Sequence, residues 1–183
     1  NITLWSTSGL VGYWPLNNDT LDYSGQGNTG TQNGGVNCGT GVGGKIGSAC
    51  SFDGTDDYVN VIYNSNLNLG QTFSISTWVK PTSGATTSGM TAGPSKHYAG
   101  SLPYISYELE YVIESGQNKF RFSLGAIDNS FNNFNSNTIV NIGDWYYLTG
   151  VYDGSTAKLY INGVLDNSTS FSKTITYNTE PLT

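Results

Sequence analysis

WYYLTGVYDGSTAKLYINGVL, from Trp145 to Leu165, reads as three short antiparallel strands joined by two tight turns. Tyr146, Leu148 and Tyr152 point one way, with Gly150 between the last two, and Trp145, Tyr147, Thr149 and Val151 point the other. That alternation is the period-2 pattern of a pleated ribbon. Asp153-Gly154 opens the first turn, and Asn162-Gly163 suits a type I′ hairpin, whose two central residues must tolerate positive φ. Leu159 and Ile161 then place apolar side chains on one face, with Tyr160 on the other. A strand this apolar on both faces needs cover on both sides, so the ribbon belongs inside a sandwich.

Three further stretches stand in order before it: GLVGYWPLNNDTLDYSGQGNTG (Gly9 to Gly30), FDGTDDYVNV (Phe52 to Val61) and FSISTWVKP (Phe73 to Pro81). With the central run they resemble the laminin G-like, concanavalin A-type jelly-roll domains. The resemblance implies an all-β, two-sheet antiparallel jelly-roll sandwich over residues 9–183, with residues 1–8 (NITLWSTS) as a lead-in, linker or edge strand. It is less specific for function, because this fold hosts lectins, adhesive modules, enzyme appendages and glycanases.

Composition narrows the classes. A chain of 183 residues is most economically one domain, and no apolar run approaches the length of a membrane span. Abundant Gly and Tyr with only 11% charged residues describe a turn-rich β protein with a polar, uncharged surface. The formal charge of −6 argues against nucleic acid or an anionic bilayer as partner, and is compatible with neutral glycans and with bound calcium. Cys38 and Cys50 flank a glycine-rich loop. A disulfide there would contribute about 2–3 kcal/mol in the loop-entropy picture; the alternative is two free buried thiols. Sequons at Asn1, Asn18 and Asn167 also favour an extracellular chain, secreted or at the cell surface.

Taken in order, the chain predicts a strand at Leu10–Leu16 and then loop chemistry to Gly44 with one strand near Thr29–Gln32. Further strands are expected at Ile46–Phe52, Tyr58–Tyr63 and Thr72–Lys80, and Thr82–Leu102 shows no periodicity and reads as a long loop. Tyr104–Ile113 and Phe120–Gly125 form a hairpin, DNSFNNFNSN (Asp128–Asn137) is a loop, and Phe171–Tyr177 gives a last strand.

Four constellations bear on chemistry. Asp22-Tyr-Ser-Gly-Gln-Gly-Asn28 brings a carboxylate and backbone carbonyls around one bend, the oxygen-rich setting calcium prefers. Domains resembling this one often hold calcium at the matching bend, which names Asp22 and Asn28 as first ligands; the alternative is an Asx-turn network without an ion. Asp53, Asp56 and Asp57 crowd together and read first as turn hydrogen bonds, second as a cation site. Glu108, Glu110 and Glu114 share a strand face. Laminarinase-type glycanases on this fold carry acids in a similar pattern, but here the middle acid is Glu and the last falls late. The expectation is therefore a solvated surface stripe and no catalytic residue. His97, Tyr98, Tyr104 and Tyr107, with Phe131, Asn132, Asn133 and Phe134, supply aromatic faces and amides suited to sugars; the alternative is that these aromatics plug the end of the sandwich.

The sequence thus points to an extracellular, non-catalytic binding or adhesion module, with a glycan or glycoprotein surface as partner. Two alternatives stand beside it: a subunit of an extracellular filament assembled with neighbouring copies, and a laminarinase-type glycan-cleaving enzyme. Domains resembling this one continue past a stretch like Tyr177–Thr183 through two closing strands. Leu10–Leu16 is accordingly expected to be completed by a tail outside this sequence or by a neighbour's strand, with Ile2, Leu4 and Trp5 apolar enough to act as donor.

Overall fold

In the computed structural model the described residues are 8–39, 41–84, 89–97 and 104–183. Asn1, Tyr98 and the donor segment Ile2–Trp5 lie outside them. Ten strands form among the described residues: β1 (Gly30–Asn33), β2 (Tyr58–Val61), β3 (Phe73–Val79), β4 (Met90–His97), β5 (Ile105–Glu114), β6 (Gln117–Gly125), β7 (Phe131–Asn135), β8 (Tyr146–Tyr152), β9 (Thr156–Ile161) and β10 (Val164–Ser170). The chain divides into two compact units, Asn1–Asn68 and Leu69–Thr183.

The second unit is an antiparallel two-sheet sandwich. Sheet I runs β10-β9-β8-β3 and sheet II runs β4-β5-β6-β7. The alternation read from the sequence holds in β8 and β9: Tyr146, Leu148, Gly150, Tyr152, Ala157, Leu159 and Ile161 are buried, and the intervening side chains are partly exposed. Sheet II answers with Tyr107, Leu109, Tyr111, Phe120, Phe122 and Leu124, all buried. Gly150 has a packing reason: a Cβ there would stand 2.8 Å from the Phe122 ring, so glycine lets that ring lie against β8. Phe120 meets Tyr146 edge-on at 5.2 Å, and Phe73 meets Tyr107 at 5.5 Å. Each such large apolar side chain, withdrawn from water, contributes about 1.5–3 kcal/mol.

Five expectations fail, each for a local reason. Thr82–Leu102 is not all loop, since β4 forms within it. Gly93 and Pro94 sit where its register against β5 shifts, between Thr91 and Ser95, which erases the period-2 signature and suits an edge strand. Asp128–Asn137 contains β7, whose Phe134 packs on Phe122 at 6.1 Å. Phe171–Tyr177 makes only a bridge, Ile175 to Ala126. It is held by Tyr152, whose hydroxyl reaches the Phe171 and Lys173 carbonyls, and by Gln71, whose side-chain amide pairs with the Ile175 backbone. Thr183 exchanges two backbone hydrogen bonds with Ser95 on the edge of β4.

The first unit is mostly loop around the β1-β2 hairpin. Leu10–Leu16 is not a strand, because local bonds take its polar groups: Trp14 Nε1 donates to the Asn28 carbonyl at 2.7 Å and Tyr13 N–H donates to Asp22. Leu16 at φ 53° then ends the extended run. Ile46–Phe52 makes only the isolated bridges Gly43–Ser48 and Asn37–Ser51, inside a loop closed by the Cys38–Cys50 disulfide.

Candidate functional site

The outer face of sheet II is built by register. Leu109 and Tyr111 of β5 turn into the core, so Ser106, Glu108 and Glu110 turn outward. Across the sheet Glu108 stands opposite Ser123, and Ser123 opposite Asn133; Glu110 stands opposite Arg121, and Arg121 opposite Asn135. One register step along, Phe131 lies opposite Gly125. Gly125 is obligatory, since a Cβ there would collide with the Ile105 carbonyl. Tyr104, just before β5, stacks on Phe131 with centroids 6.3 Å apart and planes 16° from parallel. Both rings are about 40% exposed (Tyr104 41%, Phe131 39%). An aromatic platform thus leads into a polar row.

The acids of that row are not the solvated stripe expected. Glu108 is 4% and Glu110 8% exposed. Glu108 accepts from Thr91 Oγ1 at 3.0 Å and lies 3.8 Å from His97 Nδ1. Glu110 accepts from Ser123 Oγ and lies 3.8 Å from Arg121. Burial, and after it the charge of Glu110, push the Glu108 carboxyl up to about 7. Near neutrality Glu108 can therefore donate a hydrogen bond as well as accept one.

The bends of the first unit are saturated with donors. Asp22 Oδ1 accepts from the Tyr13 and Ser24 N–H groups, and Oδ2 accepts from Ser24 Oγ and the Asn28 N–H, at 2.8–3.0 Å. Partial burial raises the Asp22 carboxyl, but these bonds outweigh it and hold the group below its ordinary value. The Asn28 side chain is spent on Val11, Asn66 and Asn64. Donors, not spare oxygens, surround Asp22, so as arranged the pair fits an Asx-turn network and does not fit calcium. Asp53, Asp56 and Asp57 bring one oxygen each within 4.8 Å of one another, but Asp53 and Asp57 accept backbone N–H bonds of their own turn. Asn18 is exposed, whereas the Asn167 amide nitrogen donates to the Asn135 carbonyl at 2.8 Å.

Residues 53–183 match a family model described as the concanavalin A-like lectin/glucanases superfamily. The chain belongs to that superfamily. A solved structure of similar fold is domain 4 of AbnA, a GH43 extracellular arabinanase from Geobacillus stearothermophilus, in complex with arabinotriose. It shares 22% identity over 94% of this chain and 80% of that one, with a TM-score of 0.68, and it shows the sandwich fold. LamAcat from Zobellia galactanivorans aligns at 14% identity over 72% of this chain and 59% of that one, with a TM-score of 0.36, too distant to bear on any argument. Comparison with curated proteins finds no match.

The binding residues named from this superfamily member's sequence divide between the two faces of sheet II. His97, Tyr104, Phe131 and Asn133 border the outer row. Tyr107 does not: it is 1% exposed, packed on Phe73 and Tyr177, and burial pushes its hydroxyl upward. Asn132 and Phe134 stand opposite the core residues Leu124 and Phe122 and so face inward. Sequence reasoning missed Arg121, Ser123, Asn135 and Ser106, and misjudged Glu108 and Glu110. The available signal was parity, since Arg121 and Ser123 alternate with Phe120, Phe122 and Leu124 opposite the Glu pair.

Proposed function

We propose that this domain is a non-catalytic glycan-binding module of an extracellular protein, using the outer face of sheet II. The observation that carries the reading is the exposed Tyr104–Phe131 stack beside a row of carboxylate, guanidinium and amide groups. Aromatic faces take the C–H surface of a sugar ring, and the polar row matches its hydroxyls. The disulfide and the exposed Asn18 sequon support an oxidising, extracellular setting. The fold neighbour's arabinotriose makes neutral pentose and hexose oligosaccharides the first probes.

A second reading, glycan cleavage by Glu108 and Glu110, is favoured by one observation, the Glu108 carboxyl raised to about 7 beside a second acid. Against it, both carboxylates are buried and committed to side chains of the same sheet. Titrating a panel of neutral oligosaccharides including arabinotriose by calorimetry, then chromatographing each mixture, separates the two. Heat of binding with intact oligosaccharide is expected. Shortened products that vanish in Glu110→Gln would establish the second reading, and no binding across the panel would refute both.

A further inference from the structure

Beside the turn that joins β9 to β10 lies a recess of about 300 Å³, and none of its lining residues belongs to the polar row of sheet II. Tyr146 and Ile161, both buried, form its floor, and Val164 and Leu165 form an aliphatic rim that is 69% and 50% exposed. Two ties hold the facing segment in place. The register of β10 against β9 shifts between Leu165 and Asn167, which makes Asp166 an extra residue on the bulged strand. Its carboxylate accepts from the Asn137 and Thr138 N–H groups and from the Thr138 hydroxyl. Tyr146 Oη accepts from the Asn141 N–H at 2.8 Å. The polar groups of the lining are unevenly spent. Both Asp166 oxygens are engaged, and Asn162 Oδ1 accepts from the Tyr147 N–H at 2.9 Å. Among the described residues, that leaves the Asn162 Nδ2 and Tyr146 O–H donors and the Thr138 Oγ1 lone pairs without a partner.

We propose that this recess is a second binding site of the domain, one that takes an acetamido group carried by a small ligand. The group's carbonyl oxygen accepts from Asn162 Nδ2 and the Tyr146 hydroxyl, its N–H donates to Thr138 Oγ1, and its methyl lies on Val164, Leu165 and Ile161. A recess with aliphatic walls and a few convergent polar groups is the ordinary form of a small-molecule site. Charged groups fit it less well. A ligand carboxylate would meet the charge of Asp166, and a ligand ammonium would need oxygens that the Asn137–Thr138 backbone already occupies. The inference stands on its own geometry and does not depend on what binds sheet II. The acetamido group occurs on N-acetylated sugars and on N-acetylated amino acids, and the test separates these carriers.

The test is a two-dimensional NMR titration of the full chain with N-acetylglucosamine, with N-acetylalanine methylamide, and with glucosamine as the control lacking the acetyl group. The backbone amides of Asn162, Gly163, Val164 and Leu165 should shift and saturate with a Kd of about 1–10 mM for an acetylated probe, the range open to so small a group. Glucosamine should leave them in place. A response to either acetylated probe supports the site, and the tighter one identifies the carrier. No shift with either, or an equal shift with glucosamine, would overturn it. Asn162→Asp keeps the oxygen that caps the Tyr147 N–H and removes the donor, so affinity should weaken about 5–10-fold. Val164→Thr exchanges one exposed methyl for a hydroxyl and should weaken it about 3–4-fold. Unchanged affinity in Val164→Thr, or in an Asn162→Asp that melts like wild type, would overturn the site. Phe131→Ala should leave these shifts intact. Their loss in that variant would place the probe on sheet II and refute the recess, whereas loss of arabinotriose binding alone would leave the two sites separate.

Discussion

Sheet I and sheet II each present an aromatic pair on the outer face, in different company. On sheet I, Trp78 and Tyr147 lie 5.2 Å apart, Trp78 is 41% exposed, and Tyr147 donates to Ser76 Oγ. Lys158 of that face pairs with Asp153 at 2.7 Å, with both partners partly exposed. On sheet II, Tyr104 and Phe131 adjoin two carboxylates withdrawn from water. Burying Glu108 and Glu110 costs desolvation that a sandwich does not need to incur for stability, and hydrophobic replacements of such groups are often neutral or stabilising. Sheet I shows that this fold can finish an outer face cheaply. The recognition proposed for sheet II would give that polarity a reason which folding alone does not supply.

The largest expected effect ignores the difference between the sheets, because both rest on one core. Phe122→Ala removes a wholly buried ring that lies against Gly150, and should destabilise by about 3–5 kcal/mol in chemical denaturation. A loss below 1 kcal/mol would mean that the two sheets do not share that contact. Next comes the contrast itself. Glu110→Ala leaves the buried Ser123 hydroxyl without its acceptor and removes the ion partner of Arg121, and should cost about 2 kcal/mol, whereas Lys158→Ala on sheet I should cost under about 1 kcal/mol. Equal losses would erase the distinction.

The acid row also has a pH signature. Glu108 is raised from 4.5 to about 7, so the folded state holds its proton where the unfolded state has released it. That contribution is fully present below about 4.5 and is lost as pH rises through about 7. Stability of the wild type should decline across this window relative to Glu108→Gln, measured by melting in matched buffers with the neighbouring His97 unchanged. Parallel profiles would place Glu108 in water after all. A smaller effect is expected in the first unit. Asp22→Ala should cost about 1–2 kcal/mol through its lost backbone bonds, and neither calcium nor chelator should move wild-type melting. A calcium-dependent rise would restore the cation cage.

How much of this was legible in the sequence follows from which interactions are local. The alternation of Tyr146, Leu148 and Tyr152 and the Asn162-Gly163 turn are encoded in adjacent residues, and they placed β8, β9 and the sandwich correctly. The edge strands β4 and β7 were illegible because a bulge at Gly93-Pro94 and a run of Asn remove the apolar rhythm, and pairing with β5 and β6 supplies the order instead. The Glu pair was read as exposed because acids on a strand face usually are, and its burial depends on Thr91 arriving from β4 and Ser123 and Arg121 from β6. Tyr107 and Tyr104 differ by three positions and hence by face, which parity alone could have separated.

The most direct test of the account sets the two aromatic pairs against each other. Tyr104→Ala/Phe131→Ala and Trp78→Ala/Tyr147→Ala are titrated calorimetrically with arabinotriose, or with whichever panel oligosaccharide binds the wild type most tightly. At about 1–1.5 kcal/mol per stacking ring, the first double variant should lose about 30–100-fold in affinity, and the second should stay within twofold. Equal losses, or a loss confined to Trp78 and Tyr147, would contradict the assignment of recognition to sheet II.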